Sequence, residues 1–156
     1  MIRKTTIALS LACLAAGMTN VLAQDMPTLG PDDYDQWESL GNGVLSPSGN
    51  WLAVLINRVS DEGELRIHRT DTDSLVVVPF ATQPAFSSDG AWLAYAIEMS
   101  PEEQEAAQKA DEPVHNSMGL LNLSTGDQET IAHIESFSFS DDGAYLAIQR
   151  YKPEDK

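Results

Sequence analysis

Cysteine is almost absent from this 156-residue sequence, and its one copy, Cys13, lies in an apolar run near the amino terminus. A single cysteine cannot build the disulfide framework on which many small exported domains depend. No His/Cys/Asp/Glu spacing typical of a structural zinc site occurs either. Four acidic residues in predicted turns lack the surrounding loop of an EF-hand: Asp71, Asp73, Asp141 and Asp142. We therefore predict no metal site and no cofactor.

Basic residues are also scarce, since nine Lys and Arg stand against 24 Asp and Glu and the formal net charge is −15. Nucleic-acid binding needs a basic surface that displaces counterions from phosphates. We therefore expect no nucleic-acid partner. The acid excess is explained by solubility, with attraction of cationic peptides to an acidic surface as the functional alternative.

Long apolar runs occur only near the start, where Arg3 and Lys4 precede the apolar residues 7–18 and Val21-Leu22-Ala23 follows. A short basic start, an apolar core of this length and small residues before the cleavage point predict a signal peptide over residues 1–23. A membrane anchor would need about 20 apolar residues. A lipid-modified Cys13 is the other alternative, but Ser10 stands three positions before it, where an aliphatic residue is usual, and too little apolar core would remain. We expect an exported protein, periplasmic or extracellular, with no membrane contact after cleavage.

Residues 24–43 are predicted to form a leader. Within it, residues 32–41 begin with acidic residues, place Tyr34, Trp37 and Leu40 at a spacing of three, and end in Gly41. This pattern predicts one or two helical turns that pack aromatic side chains on the body, with an aromatic ligand platform as the alternative.

The rest of the chain repeats one motif three times: LSPSGNWLA at 45–53, FSSDGAWLAY at 86–95 and FSDDGAYLA at 139–147. Each copy predicts a strand, a tight turn closed by glycine and a second strand that opens on an aromatic residue. The Asp residues of these turns can accept hydrogen bonds from the turn backbone, so we assign them to turn structure.

The spacing of the motif glycines reveals an insertion. Gly49 and Gly90 are 41 residues apart, whereas Gly90 and Gly143 are 53 apart. The additional residues lie between the second and third strands of the second copy. There Ser100 as N-cap, Pro at the next position and Glu103 predict a short surface helix near residues 101–110 that Pro113 ends.

A unit of about 40 residues with four strands has the dimensions of one β-propeller blade. We therefore predict an all-β fold, an incomplete β-propeller over residues 44–151 with one short inserted helix. Two four-stranded blades, at about 44–81 and 82–135, are followed by half of a third at 136–151 and a truncated tail at 152–156. An open ring leaves strand edges unpaired, so we expect the chain to be a piece of a longer protein and to aggregate or fold poorly alone.

The three motif units resemble the propeller repeats of TolB-like and prolyl oligopeptidase-like proteins. The order of signal peptide, YDQWESLG at 34–41 and first repeat resembles the amino-terminal end of exported bacterial serine peptidases of the prolyl oligopeptidase family. The resemblance covers most of residues 32–151, and Ser48 departs from the usual Asp, which predicts one weaker turn contact. It implies a parent enzyme that hydrolyses oligopeptides with Ser, Asp and His in a carboxy-terminal α/β-hydrolase domain, while the propeller screens access.

No catalytic residue is predicted in this chain. The sequence contains no Gly-x-Ser-x-Gly elbow, which would expose a nucleophilic serine on a strained turn. His68, His115 and His133 lie in or beside predicted strands without a visible nucleophile, so we assign them to the surface or to packing. Asn122 begins a formal glycosylation acceptor, a short motif that is common by chance.

Three functions remain open from the sequence. The first is a non-catalytic propeller part of an exported serine peptidase. The second is a periplasmic TolB-like propeller module that binds a protein partner, and the third is a small adhesive repeat protein that assembles through open strand edges. Only the first predicts a hydrolase domain encoded after residue 156.

Overall fold

A computed structural model describes residue 30 and residues 37–152. The predicted signal peptide, most of the leader and residues 153–156 lie outside the described residues. Within the described part, ten strands and one helix follow one another along the chain. No helix among these residues combines the length and the apolar character needed to cross a membrane.

The strands form three antiparallel sheets in which sequence neighbours pair. The first sheet contains β1 (Glu38–Leu45), β2 (Trp51–Arg58), β3 (Glu64–Arg69) and β4 (Leu75–Pro79). The second contains β5 (Ala81–Phe86), β6 (Trp92–Ile97), β7 (Ser117–Asn122) and β8 (Gln128–Ile131). The third is the hairpin of β9 (Ile134–Phe139) and β10 (Leu146–Arg150). Sheets of four, four and two strands confirm the predicted fold class.

The hydrophobic core lies where the first and second sheets meet. The first sheet contributes Leu65 and Ile67 from β3, which are fully buried. The second contributes Leu93 and Tyr95 from β6 and Leu121 from β7. These residues come from β3, β6 and β7, which are inner strands of their sheets, as expected where one blade stacks on the next.

The inserted helix α1 (Pro101–Ala110) lies between β6 and β7 and begins as predicted. Ser100 Oγ accepts the Glu103 N–H at 3.2 Å, and the Glu103 carboxylate accepts the Ser100 N–H at 2.9 Å. It ends at Ala110, as predicted, but the residue that closes it is Asp111, which is left-handed at φ 56°, and not Pro113. The helix buries only Ala107, so its polar faces remain in solvent.

The first strand begins earlier than the sequence indicated. One or two helical turns were predicted over residues 32–41, but Glu38 to Gly41 belong to β1, while residues 31–36 lie outside the described part. The helix prediction is therefore wrong for residues 38–41, and β1 starts well before Val44. The β1–β2 pairing shifts register between Leu40 and Gly43, so the strand carries a bulge that breaks the alternating pattern.

Because neighbouring strands run in opposite directions, their connections lie at two opposite sides of the meander, a turn face and a junction face. The turn face carries the three motif turns and the turns between third and fourth strands. The junction face carries the connections between second and third strands, including α1, and the junctions from each sheet to the next. Thr70 donates its N–H to Asn50 O on the turn face, and Phe80 donates its N–H to Gly63 O on the junction face.

Candidate functional site

The motif serines on the turn face are bound within their own turns. Ser87 Oγ accepts the Trp92 N–H at 2.9 Å, and Ser140 Oγ accepts the Tyr145 N–H at 3.0 Å. The motif glycine Gly90 has φ 71°, the left-handed conformation that closes the turn and that glycine adopts without steric cost. These serines therefore hold strand to turn, and the structure explains them without a catalytic role.

The motif aspartates complete the same turns. Asp89 Oδ1 accepts the Ser87 hydroxyl at 2.5 Å and the Ala91 N–H at 3.0 Å. The Ser87 hydroxyl, followed by the Ala91 amide, lowers the pKa of Asp89, because both stabilise the charged carboxylate. In the first copy Ser48 makes only longer contacts of 3.3 and 3.4 Å. The predicted weakening of that turn is confirmed.

The second and third sheets are joined at the turn face by one side chain. Ser88 Oγ donates to Asp141 O at 2.8 Å. The turn of the third sheet comes so close that a Cβ added at Gly143 would lie 2.8 Å from Ser88 Oγ. The corresponding position of the first copy is Pro47, which has no hydroxyl, and a Cβ at Gly90 would meet nothing within 4 Å. The two seams between sheets are therefore built differently.

The junction face carries a four-residue ion-pair network on the first sheet. Glu38 Oε1 accepts from Arg58 at 2.8 Å and from Arg66 at 2.7 Å. Glu64 accepts from the same two guanidinium groups at 3.0 and 2.6 Å. The hydrogen bond from Arg66, followed by that from Arg58, lowers the pKa of Glu38. The network ties together the ends of β1, β2 and β3.

A cleft of about 190 Å³ lies beside this network, between the first and second sheets. Its polar lining includes Arg58, Asp61, Glu64, Thr82 and Glu98. Thr82 Oγ1 donates to Glu98 Oε1 at 2.9 Å, and Arg58 donates to Glu64 at 3.0 Å, so four of these five residues are paired within the cleft. Among the described residues that line the cleft there is no serine, cysteine or histidine, and its chemistry suits polar contacts at an interface better than nucleophilic catalysis.

Two of the three histidines meet on the junction face, a contact that the sequence did not predict. His115 Nδ1 lies 3.1 Å from His133 Nδ1, and the ring of Tyr151 stacks on His115 at a centroid distance of 4.3 Å. His115 and His133 are 18 residues apart in sequence, so only the pairing of β7 with β8 and the following junction brings them together. His68 lies apart from them in β3, opposite Leu52 and Leu75.

The remaining residues singled out from the sequence serve local structure. Asn122 Oδ1 accepts the backbone N–H groups of Ser124 and Thr125, at 3.0 and 3.1 Å, and closes the turn between β7 and β8. Asp71 pairs with Arg69 at 2.8 Å. Among the described residues no group of three or more His, Cys, Asp or Glu side chains is arranged to hold a metal ion.

The third sheet presents an uncovered strand and apolar face. Within the described residues β10 pairs only with β9. Tyr145 is 76% exposed and Ile148 is 39% exposed. A shallow hollow over this hairpin is lined by Phe137, Ala147 and Ile148. In the first two sheets the equivalent strands, β2 and β6, pair with a third strand, and a fourth strand completes the sheet.

No protein-family model matches the sequence, and a search of curated proteins gives no significant match. Solved structures do match. The β-propeller domain of the trilobed protease from Pyrococcus furiosus is 16% identical and has a TM-score of 0.52, over 72% of this chain and 34% of its own. An acylaminoacyl peptidase from Pyrococcus horikoshii is 16% identical over 79% of this chain and 20% of its own, with a TM-score of 0.51.

An acylaminoacyl peptidase in complex with Z-Gly-Gly-Phe-chloromethyl ketone gives a TM-score of 0.53 at 16% identity, over 79% of this chain and 19% of its own. The chain thus spans about a third of the protease domain and about a fifth of each acylaminoacyl peptidase. At this level of identity the similarity concerns the fold. The chain has the fold of a segment of a β-propeller, of the kind found in the propeller domains of these peptidases.

Proposed function

We propose that this chain supplies consecutive blades to the propeller domain of an exported serine peptidase that hydrolyses oligopeptides. The similarity of its fold to propellers in peptidase structures carries the proposal. The catalytic residues belong to a separate α/β-hydrolase domain of the parent, and the propeller controls which peptides reach them. The local roles of Ser87, Ser140 and Asp89 support a scaffold, because turn hydrogen bonds account for these polar groups.

The uncovered third sheet supports the association with further blades. Its exposed Tyr145 and Ile148 occupy a hairpin that corresponds to the first half of a blade, and in the first two sheets a third and fourth strand complete this unit. Exposed strand edges and apolar patches favour pairing with another segment. Further blades of the parent protein would cover both.

The test begins with sequencing of the adjoining DNA and expression of the extended reading frame. The purified protein is then treated with a fluorophosphonate probe, which labels active serine hydrolases. We expect more blade motifs, a Gly-x-Ser-x-Gly strand-turn-helix, and covalent labelling that is lost when the serine of that elbow is replaced by alanine. A reading frame that adds blades and stops without this elbow contradicts the peptidase and favours a TolB-like module that binds a protein partner.

Control of access is tested at the seam between the second and third sheets. Ser88→Ala removes the hydrogen bond to Asp141 O and should loosen this seam. In the extended enzyme we expect faster cleavage of long peptides and an unchanged rate on a small chromogenic ester, because only large substrates depend on opening. Ser124→Ala is the control, since its hydroxyl bonds to Asn122 within one turn. Gating is contradicted if Ser88→Ala and Ser124→Ala change the cleavage of long peptides equally. It is also contradicted if Ser88→Ala changes the rates on the long peptide and on the small ester equally.

Export is a separate part of the proposal and rests on the sequence of residues 1–23. Amino-terminal sequencing of the protein recovered from the periplasm of a bacterial host should begin at Gln24. A product that retains Met1 or remains in the cytoplasm would argue against a signal peptide.

A further inference from the structure

The junctions between successive sheets repeat the same backbone geometry. Phe80 lies ten residues before the motif glycine Gly90, and His133 lies ten before Gly143. Both residues are left-handed, with φ 55° and 59°. Each carbonyl accepts a backbone N–H from the end of a second strand, Phe80 O from Glu98 at 2.9 Å and His133 O from Tyr151 at 3.3 Å. The fold therefore fixes this backbone at both junctions.

The side chains on this repeated frame differ. The first junction carries Phe80, so the propeller geometry does not require a histidine there. At the second junction the ring of His133 meets the ring of His115 edge to face, at a centroid distance of 5.3 Å and an interplanar angle of 78°. Tyr151 stacks nearly parallel on His115, at 19°. The second junction thus carries two imidazoles and a stacked aromatic ring, where the first junction carries Phe80.

A nitrogen of each ring lies within hydrogen-bond distance of the other, and ring nitrogens can act as metal ligands. His115 Nδ1 and His133 Nδ1 are 3.1 Å apart. A metal ion bound about 2.0–2.1 Å from each nitrogen, with an angle near 90 to 110° at the metal, would place the nitrogens roughly 2.8–3.4 Å apart. A shared proton and a shared metal ion are therefore alternative ways to satisfy this pair of nitrogens.

We propose that His115 and His133 form a two-imidazole site for a transition-metal ion, Zn²⁺ or Cu²⁺, at the seam between the second and third sheets. Imidazole suits these ions, whereas Mg²⁺ and Ca²⁺ prefer oxygen ligands. Water completes the coordination, so affinity is moderate. The stacked Tyr151 restrains the His115 ring. A bound ion clamps the connection before β7 to the junction before β9 and stabilises the seam.

The test uses the untagged chain without residues 1–23, under conditions in which size-exclusion chromatography shows a folded monomer, and three variants. His133→Phe introduces the residue that the equivalent junction already holds, so the backbone frame should be kept. His115→Gln removes the second ligand independently. His68→Gln removes the third histidine, which lies apart from the other two in β3. Circular dichroism of each variant without metal verifies the fold.

Zn²⁺ should raise the melting temperature of the parent chain and of His68→Gln by several degrees, because binding to the folded state adds stability. The rise should vanish in His133→Phe and in His115→Gln, and Mg²⁺ should cause none. Cu²⁺ electron paramagnetic resonance should report two nitrogen ligands in the parent chain and at most one in either variant. An equal Zn²⁺ response in the parent chain and in His133→Phe, or no response in the parent chain, means that the pair is only hydrogen-bonded and overturns the proposal.

Discussion

Gly119 lies directly opposite Tyr95 in the pairing of β7 with β6, and the phenol ring of Tyr95 occupies the space into which any side chain at 119 would project. A Cβ at this position would contact ring carbons Cε2 and Cζ and lie 2.7 Å from the hydroxyl oxygen. Tyr95 is 2% exposed and belongs to the core between the first two sheets, where burial raises the pKa of its hydroxyl. The absence of a side chain at Gly119 thus leaves the space that the ring of this core tyrosine fills.

We expect Gly119→Ala to destabilise the protein by about 2–3 kcal/mol, because a buried methyl group would displace an aromatic ring that has no free space to enter. Urea unfolding followed by tryptophan fluorescence measures the change. The denaturant midpoint should fall while the slope stays constant, as expected for a loss of native stability alone.

Two further variants separate this steric effect from the general cost of changing a strand glycine. Gly43→Ala in β1 meets its nearest atom at 3.7 Å, an ordinary contact, and should change stability by less than about 0.5 kcal/mol. In a Tyr95→Leu background, Gly119→Ala should cost much less than in the parent chain, since the ring is gone. Additive effects of the two substitutions would contradict the clash.

The first motif turn can be strengthened by placing at position 48 the aspartate that the other two motif turns carry. Ser48→Asp should give Ser46 and Asn50 the short contacts that Asp89 makes to Ser87 and Ala91. We expect a rise of a few degrees in the melting temperature at pH 7. Since the pKa of Asp89 is lowered in the folded chain, its carboxylate stabilises above the usual pKa of 3.8, and this contribution disappears as the pH falls below it. The gain from Ser48→Asp should vanish in the same range.

Ser48→Asn is the matched control for this variant. Its side-chain oxygen accepts the same hydrogen bonds but carries no charge, so we expect a smaller gain that does not depend on pH between 3 and 7, values chosen to bracket carboxylate titration. A Ser48→Asp gain that is as large at pH 3 as at pH 7 would mean that the charged form is not responsible.

The motif made most of the fold predictable, because turn residues and strand residues occur at fixed offsets. β2 and β6 begin at the motif aromatic residues Trp51 and Trp92, as predicted, and α1 starts with the predicted Ser100 capping box. The first strand of each sheet was placed too late. These strands carry polar residues, Pro84 and bulges, so their pairing partners decide their length more than their own sequence does.

The contacts of the candidate sites could not be predicted for a related reason. His115 and His133 meet only because a junction with a left-handed residue follows β8, and no local pattern records this proximity. The role of Gly119 was likewise hidden, although a glycine inside a strand often marks the close approach of another group. Comparing equivalent positions in the two copies, such as Phe80 and His133, was the one available signal.

Glu64 is 9% exposed and accepts hydrogen bonds from two arginines, Arg58 and Arg66. Burial raises its pKa, but the two guanidinium groups outweigh burial and the pKa is lowered overall. Glu38 closes the network from β1. Both carboxylates therefore stabilise the folded chain when ionised, above their usual pKa of 4.5, and this contribution is lost as the pH falls through the lowered values.

Glu64→Gln should destabilise the protein by about 1–2 kcal/mol at pH 7, because it replaces charge-assisted hydrogen bonds with neutral ones. The difference from the parent chain should shrink below pH 4.5, where the parent carboxylates become protonated. Lys109→Ala breaks an exposed pair with Glu105 and should change stability by less than about 0.5 kcal/mol at either pH. A Glu64→Gln effect that stays constant from pH 7 to acid would assign Glu64 to packing instead of charge.

The capping box of α1 predicts a local effect that distinguishes the inserted helix from the propeller body. Ser100→Ala removes the acceptor for the Glu103 N–H and should cost about 1 kcal/mol of helix stability. Because α1 buries only Ala107, the loss should appear as faster hydrogen exchange of the helical amides, with little change in the amides of β6 and β7. Ser100→Asp keeps an N-cap acceptor and should preserve protection. Uniformly faster exchange across β6, α1 and β7 in Ser100→Ala would mean that the helix and the sheet unfold together.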